Sequence, residues 1–304
     1  MVTARTGSLT RATYPTGPGH DSEGIVPRMF DHAAKAKIIV HPVRRNIYVL
    51  EGSGGNIAAL AGTEGVLLID SGLAVSEGQV EAALDSLSSE RITTLINSHW
   101  HFDHTDGNAW VHRAGAEIIA HVNTKRRLSA ATRVDAWNWT FPPALSDALP
   151  TTTFETTYQV VQNDTHVALT YYGPAHTDTD VSVSFEEANV LLVGDTWWNG
   201  MFPFIDYSTG GSIEGMIHAS ELNLSMVGND TIIIPGHGPV GYKAELSAYR
   251  DMLIGVRNQI SNCKERGKSL EETLAEHPTA NYDLQFGQSI ITPAFFTSLV
   301  YSGV

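Results

Sequence analysis

The fold prediction starts from one run of twelve residues, Asn97-Ser98-His99-Trp100-His101-Phe102-Asp103-His104-Thr105-Asp106-Gly107-Asn108. The run holds three histidines and one aspartate within six positions. Residues 92–97 before the motif are β-branched or apolar and predict a buried strand, so the motif lies at the carboxyl end of a strand, where α/β folds place their chemistry. Zinc accepts imidazole nitrogen and carboxylate oxygen, and a catalytic zinc keeps one position open for water. The spacing therefore predicts a metal site on this loop.

The motif His-Trp-His-Phe-Asp-His resembles the signature of the metallo-β-lactamase superfamily. The resemblance implies that a lone histidine, an aspartate after a strand and a histidine after the last strand follow in that order. His176, Asp195 and His237 occupy these places, and each follows or ends an apolar run of β character. The implied ligands are therefore His99, His101 and His176 for a first metal, Asp103, His104 and His237 for a second, and Asp195 as a bridge between them. The expected cofactor is two Zn²⁺ per chain, with iron or manganese as alternatives.

The order of the predicted elements agrees with this resemblance. Short strands separated by turn residues occupy residues 38–70, and helices and strands alternate after them. We expect an α/β protein, an αβ/βα sandwich in which two mixed β-sheets lie face to face with helices on the outside. The expected domains are an N-terminal extended arm over 1–37, the catalytic domain over 38–242, and a C-terminal helical extension over 243–304 that packs on the same domain.

Composition limits the classes of function. The 304 residues include 19 Lys and Arg against 33 Asp and Glu, a formal net charge of −14. Such a surface repels phosphate backbones, so a nuclease is disfavoured. Cys263 is the single cysteine, so no intrachain disulfide is available, as is typical of a reducing compartment.

Partners and location are expected on similar grounds. The sequence has no apolar run long enough to span a membrane, and residues 1–20 lack the apolar middle of a signal peptide. We expect a cytoplasmic protein that has a small-molecule substrate and neither nucleic acid nor membrane as a partner. The N-terminal arm and the C-terminal helices are the candidate surfaces for a homodimer.

The resemblance also implies a hydrolase. A dinuclear site of this kind supplies a metal-bound hydroxide at neutral pH, and Asp103 is the candidate catalytic residue because it can orient that hydroxide or relay a proton. Asp70 and Asp178 are candidates to hydrogen-bond the ligand histidines from behind. True β-lactamases of the superfamily usually carry Cys or Ser where this chain has Asp195. An aspartate there is the pattern of glyoxalase II-like thioesterases, lactonases and several broad hydrolases.

Aromatic residues near the expected ligands indicate a small apolar or aromatic substrate, such as an ester, thioester, lactone or lactam. The candidate substrate residues are Trp100, Phe102, Trp197, Trp198 and Tyr207. A buried core would explain these five side chains equally well. For the segment 137–141, a place in the core and a place over the site are both open. Two alternative functions remain: a hydrolytic dehalogenase of a chlorinated aromatic, as in the superfamily's chlorothalonil dehalogenase, and a di-iron oxidoreductase on the same scaffold.

Overall fold

The structure is a computed structural model that describes residues 24–304. Its strands are, in chain order, β1 (Ile39–Arg44), β2 (Ile47–Glu51), β3 (Ile57–Gly62), β4 (Gly65–Ile69), β5 (Ile92–Ile96), β6 (Glu117–His121), β7 (Thr132–Val134), β8 (Trp139–Phe141), β9 (Thr152–Phe154), β10 (Thr157–Gln162), β11 (Thr165–Tyr171), β12 (Val181–Phe185), β13 (Val190–Trp198) and β14 (Ile232–His237). Its helices are α1 (Ile25–Lys35), α2 (Glu77–Asp85), α3 (Phe102–Thr105), α4 (Asn108–Arg113), α5 (Val122–Leu128), α6 (Ile213–Met226), α7 (Lys243–Glu265), α8 (Leu270–Ala275), α9 (Asp283–Phe286) and α10 (Pro293–Gly303).

The strands form two large mixed sheets. The first has the order β1-β2-β3-β4-β5-β6-β9; β1 to β4 pair antiparallel, and β4, β5, β6 and β9 pair parallel. The second runs β10-β11-β12-β13-β14 and is antiparallel up to the parallel pair β13–β14. β7 and β8 form a separate hairpin. The predicted αβ/βα sandwich with two mixed sheets is confirmed.

A buried apolar cluster joins the two sheets. Ile69 and Ile96 from the first sheet belong to the same cluster as Val183, Leu192 and Ile234 from the second. Successive side chains of a strand point to opposite faces, so each sheet also has an outer face that needs cover. The inner cluster therefore fixes how the ends of the two sheets meet, and the candidate metal ligands lie at those ends.

Helices cover both outer faces. Val80 of α2 and Val111 of α4 pack with Leu68 and Leu95 of the first sheet. On the second sheet, α6, α7 and α10 share one apolar cluster with the strands. The buried stripe of α7 recurs every three or four residues, as a helix that covers a sheet requires; it consists of Leu246, Tyr249, Met252, Leu253, Val256 and Ile260.

The extended arm predicted for residues 1–37 is wrong in its described part. Residues 25–35 form α1, in which Val26 and Ala33 are buried and Met29 and Phe30 are half-buried. These positions recur at helical spacing, so the segment buries one face of a helix instead of extending. Residues 1–23 lie outside the described residues. The helices α7 to α10 fall within 243–304, while the division into domains stays a prediction.

None of the helices in residues 24–304 combines the length and the apolar character that a membrane crossing requires.

Candidate metal centre

The loop that carries the motif is tied together at its ends. β5 ends at Ile96, and the side-chain amides of Asn97 and Asn108 each donate a hydrogen bond to the other's carbonyl oxygen at 2.9 Å. Between these ends, His101 has an extended backbone and α3 begins at the next residue. The loop therefore has a defined conformation that presents the motif on one side.

The other candidate ligands come from the second sheet. His176 lies on the loop between β11 and β12, Asp195 lies within β13, and His237 is the last residue of β14. The register between β13 and β14 shifts on either side of Gly194. Such irregularities redirect side chains, and here the strand directs Asp195 toward the motif loop.

The seven candidate ligands form two neighbouring groups in which the ligand atoms lie within 4.8 Å of one another. The first group is His99, His101, His176 and Asp195, and the second is Asp103, His104 and His237. All seven are buried except His237, whose side chain is 13% exposed. The structure thus brings together every residue that the sequence predicts as a ligand, although their role as ligands stays a prediction.

The carboxylate of Asp195 lies between the two groups. Its Oδ1 is 3.1 Å from His104 Nε2. Its Oδ2 is 3.4 Å from both His176 Nε2 and His237 Nε2, and 3.9 Å from His99 Nε2. One carboxylate therefore faces histidines of both groups, which is the position that the predicted bridge requires.

The outward ring nitrogens of four of the five candidate ligand histidines have hydrogen-bond partners that fix the ring orientations. The pairs are His104 Nδ1 with Asp70 Oδ2 at 2.8 Å, His101 Nε2 with Asp206 Oδ2 at 3.0 Å, His176 Nδ1 with the Phe204 carbonyl at 2.8 Å, and His99 Nδ1 with Ser98 Oγ at 3.1 Å. Partners of this kind set the tautomer and raise the basicity of the other nitrogen.

These contacts separate the two aspartates that the sequence suggested for this role. Asp70 contacts His104, whereas the carboxylate of Asp178 binds Arg126 and Arg127. Asp206 was not predicted, because no strand end or ligand spacing marks it in the sequence. Its place on the segment after β13 becomes informative only once the fold brings that segment to His101.

Unpartnered buried atoms indicate what the centre can hold. In the described structure, His99 Nε2, His104 Nε2, His237 Nε2 and Asp195 Oδ1 are buried and make no hydrogen bond of regular geometry, although a carboxylate oxygen lies 3.1–3.9 Å from each of the three nitrogens. A buried polar atom without a partner destabilises a fold by about 1–3 kcal/mol. His101 Nδ1 and His176 Nε2 converge on each other at 2.8 Å. Divalent cations would satisfy these nitrogens and oxygens together, so the donor set fits metal ions.

The electrostatics agree with that fit. Burial lowers the pKa of His99 well below its usual range and that of His176 to about 4. Burial also opposes protonation of His237, but the carboxylates of Asp195 and Asp103 outweigh it and raise the pKa of His237 to about 9. Two buried carboxylates thus attract positive charge into the centre, as expected where a cation binds.

Two glycines leave room for the centre. A Cβ at Gly55 would overlap the ring of His104, and a Cβ at Gly236 would overlap Oδ1 of Asp195. The first glycine lies in the turn between β2 and β3 and the second lies within β14, so the backbone at both positions approaches the candidate ligands without a side chain in between.

An apolar cavity lies beside the centre. Its lining residues are Ile25, Met29, His101, Asp103, Trp137, Asp195, Trp198, Phe204, Ile290 and Ile291. Trp137 stacks on Phe204 with ring centroids 4.4 Å apart, and the ring of Trp198 lies 4.1 Å from that of His237. The cavity therefore has ligand residues on one side and aromatic or aliphatic side chains on the other.

The five candidate substrate residues have different places, and only Trp198 lines the cavity. Trp100 is buried and donates to Thr209 Oγ1 at 3.2 Å, and Trp197 is fully buried in the core. Phe102 stacks on Phe141, and the hydroxyl of Tyr207 lies against Gly303 of α10. The segment 137–141 divides in the same way, with Trp137 at the cavity and Phe141 in the core.

Comparisons with known proteins place these observations in context. The family model described as the metallo-beta-lactamase superfamily matches residues 50–241, which include every candidate ligand. A hydroxyacylglutathione hydrolase from Polaromonas sp. (strain JS666 / ATCC BAA-500) is 29% identical over 150 residues, 48% of this chain and 49% of that protein. The chain thus aligns with about half the length of that curated relative.

Solved structures with a similar fold include two enzymes that differ in activity. The sec-alkylsulfatase Pisa1 from Pseudomonas sp. matches with a TM-score of 0.64 and 14% identity, over 89% of this chain and 51% of that one. The metallo-beta-lactamase DIM-1 matches with a TM-score of 0.57 and 18% identity, over 72% of this chain and 97% of that one. At these identities the likeness concerns the fold alone.

Proposed function

The chain belongs to the metallo-beta-lactamase superfamily, and from that premise we propose that it is a dinuclear zinc hydrolase of a small, uncharged, apolar or aromatic substrate. The hydroxyacylglutathione hydrolase and the sec-alkylsulfatase that the chain resembles are hydrolases, and the His and Asp groups described above could hold metal ions. The observation that carries the proposal is the convergence of seven candidate ligand side chains, six of them buried, in two adjacent groups.

We assign the ligands as the sequence predicts. His99, His101 and His176 would hold one ion, Asp103, His104 and His237 would hold the other, and Asp195 is placed to contribute to both. Imidazole and carboxylate donors without a thiolate suit zinc, and they also accept iron or manganese. Bound divalent ions would lower the pKa of a water between them and polarise the substrate carbonyl.

The chain's own residues perform the rest of the reaction. Asp103 Oδ2 lies 3.3 Å from His237 Nε2 and 3.6 Å from His104 Nε2, at the boundary of the cavity. We propose that this carboxylate orients the attacking water and accepts its proton. Asp70 and Asp206 hold His104 and His101 in the tautomers that direct their other nitrogens inward. The proposed route needs no serine or cysteine nucleophile.

The cavity wall supports the choice of substrate. Apart from His101, Asp103 and Asp195, the described residues that line it are aliphatic or aromatic, and none is Lys or Arg. A charged substituent in such a place would lose its hydration without gaining a partner. An ester, thioester, lactone or lactam with an apolar body fits these walls. The hydroxyacylglutathione hydrolase relative makes a thioester a natural candidate for the screen.

A second candidate, hydrolytic dehalogenation of a chlorinated aromatic, is favoured by the stacked Trp137–Phe204 pair and by Trp198. A flat ring held between these side chains would present an activated aryl carbon to the same water. The reaction would replace a carbon–chlorine bond with a carbon–oxygen bond and release chloride and a proton.

The test combines metal analysis with a substrate screen. The chain purified without chelator is analysed for metal, and it is then stripped and reloaded with zinc. Each form is assayed on p-nitrophenyl butyrate, a lactone, a thioester, a chromogenic β-lactam and a chlorinated aromatic nitrile. Asp195→Asn is compared with the exposed control Asp147→Asn.

We expect about two zinc ions per chain and turnover that zinc restores after stripping. Asp195→Asn should lose both metal and activity, while Asp147→Asn should keep both. Zinc-replete protein that turns over no substrate would contradict the proposal. Two iron ions with visible absorption and no hydrolysis would support the di-iron oxidoreductase instead.

A further inference from the structure

Four of the seven non-ligand residues that line the cavity come from outside the family match. Ile25 and Met29 belong to α1, and Ile290 and Ile291 belong to the segment between α9 and α10, whereas the family model matches residues 50–241. We infer that these two flanking segments determine substrate size and exclude charged substrates, an inference that rests on the proposed hydrolase activity.

α1 has a fixed position relative to the ligand loop. Its Phe30 ring lies 5.4 Å from the ring of Phe102, which stands between two candidate ligands in the motif. Val26 and Ala33 are buried, and the amide of Gln79 donates to the carbonyl of Ala34 at 3.3 Å. Because the helix is anchored on both sides of Met29, the Met29 side chain has a defined position in the lining of the cavity.

The second segment is anchored as firmly. The backbone N–H of Phe202 donates to the carbonyl of Phe286 at 2.8 Å, and Phe202 stacks on Phe296 of α10 at 4.7 Å. Ile291 is 1% exposed, whereas Ile290 is 38% exposed. Ile291 thus forms the inner part of this wall, and Ile290 forms its outer rim.

The space between these walls is small. The cavity has a volume of about 10 Å³, close to the minimum that holds one water molecule. A substrate must therefore displace wall side chains as it binds, and the sizes of Met29 and Ile291 limit what can enter. The occupant that this wall admits is an apolar acyl or aryl group, packed between Trp137 and Trp198.

The test measures acyl-chain preference in variants of the wall. p-Nitrophenyl acetate, butyrate, hexanoate and octanoate are compared in the wild type, Met29→Ala, Ile291→Ala and Met29→Phe. We expect both alanine variants to move the highest kcat/KM toward longer chains, with roughly a fourfold gain for each methylene newly accommodated. Met29→Phe should move it toward acetate. His32→Ala, on the exposed side of α1, is the matched control and should leave the preference unchanged.

Exclusion of charge is tested with p-nitrophenyl hemisuccinate against the butyrate ester. We expect kcat/KM at least tenfold lower for the hemisuccinate in the wild type, and a smaller difference in Met29→Lys, which adds a cation to the wall. Equal rates for the two esters in the wild type would overturn the assignment of charge exclusion.

A binding measurement separates this inference from the proposed function. Calorimetry with p-nitrophenyl butyl and hexyl ethers, which cannot be hydrolysed, reports the wall without the chemistry. If the chain has no hydrolase activity but the ether affinities change with the size of the residues at positions 29 and 291, the proposed function is refuted and the inference about the cavity wall stands. If hydrolysis depends on metal but the chain-length preference and the ether affinities are the same in all variants, the inference about the cavity wall is overturned. Thermal melts check folding, and Ile291→Val and Met29→Phe carry the test if an alanine variant is unfolded.

Discussion

Replacement of Asp206 by asparagine should weaken metal binding although the residue is not a ligand. Its Oδ2 is 3.0 Å from His101 Nε2 and accepts the hydroxyl of Thr209 at 2.6 Å, while its Oδ1 accepts the backbone N–H of Ser208 at 3.0 Å. Every one of these contacts needs an acceptor. The carboxylate is fully buried, so water cannot replace an acceptor that is lost.

The isosteric variant Asp206→Asn supplies only one accepting atom for these three donors. With the amide oxygen toward His101 and Thr209, its NH2 group faces the N–H of Ser208. With the amide reversed, the NH2 group faces His101 Nε2, and the imidazole must carry its proton on Nδ1. That nitrogen lies 2.8 Å from His176 Nε2 inside the candidate centre.

The magnitude follows from the burial of this pair. Loss of a carboxylate behind a ligand histidine typically weakens metal affinity tenfold to a hundredfold. Because the Asp206 side chain is not accessible to solvent and an NH2 group must oppose a donor in either orientation, we expect the upper part of that range, about 30- to 100-fold or ~2.0–2.7 kcal/mol. Asp206→Ala leaves a space and an unpaired imidazole N–H, and it should weaken binding by a similar factor.

The assay is competition for zinc between the protein and a chromophoric chelator. Wild type, Asp206→Asn and Asp206→Ala are compared with Asp147→Asn, an exposed aspartate whose replacement should change nothing. A zinc affinity of Asp206→Asn within threefold of the wild type, in protein with an unchanged melting temperature, would refute the role assigned to this carboxylate.

Three other changes test separate parts of the structure. Gly236→Ala should lower both metal content and melting temperature, because its Cβ would overlap Oδ1 of Asp195; a variant normal in both respects would contradict this packing. The His166 ring donates a hydrogen bond to the Glu187 carboxylate, which raises the pKa of His166, and the same pair holds the pKa of Glu187 at about 2. The pair therefore contributes its full stabilisation between pH 4.5 and pH 6.5, the ordinary pKa values of Glu and His. This contribution is lost as pH rises through the raised pKa of His166, and also as pH falls toward the lowered pKa of Glu187, about 2. Glu187→Gln should return the pKa of His166 toward 6.5 in an NMR titration, and an unchanged pKa would show that Glu187 does not raise it. Leu253→Ala, at a fully buried position of α7, should lower the free energy of unfolding by about 2–5 kcal/mol in denaturant titrations, and a loss below about 1 kcal/mol would mean that α7 adds little to the core.

The candidate ligands were predictable because their signals are local. His99 and His101 follow a buried strand within a dense motif, and His237 ends another apolar strand. Residues at strand ends in a layered α/β fold are carried to the edges of the sheets by the strands themselves. The sequence therefore shows both the donor residues and the strands that place them at the edges of the sheets.

The partners behind the ligands follow no such rule. Asp206 lies in an irregular segment between β13 and α6, 105 positions after His101, and its role depends on a tertiary contact. The N-terminal helix is a different case, because its apolar positions from Ile25 to Ala33 do recur at helical spacing. The turn-rich sequence of residues 14–19 favours an extended arm for the whole segment, whereas residues 25–35 bury one face of a helix.

The aromatic residues show a limit set by geometry. Trp197 and Trp198 are adjacent in β13, and neighbouring side chains of a strand point to opposite faces. One is therefore in the core and the other at the cavity, although residue type and local sequence are nearly the same. A one-residue change of register would exchange the two roles, and composition alone cannot fix the register.

Each group of ligands draws on both sheets. His99 and His101 lie on the loop that follows β5 of the first sheet. In the same group, His176 lies on a loop between two strands of the second sheet, and Asp195 lies within β13; in the other group, His237 of β14 joins two residues of the motif loop. A chain whose sheets have not yet docked would thus lack a complete group of candidate ligands. Docking and metal loading are then linked equilibria, and a thousandfold excess of free metal over its dissociation constant would favour the docked state by about 4.1 kcal/mol. Bound metal would then cross-link the two sheets of the sandwich, and the metal supply would set the fraction of chains that complete their folding.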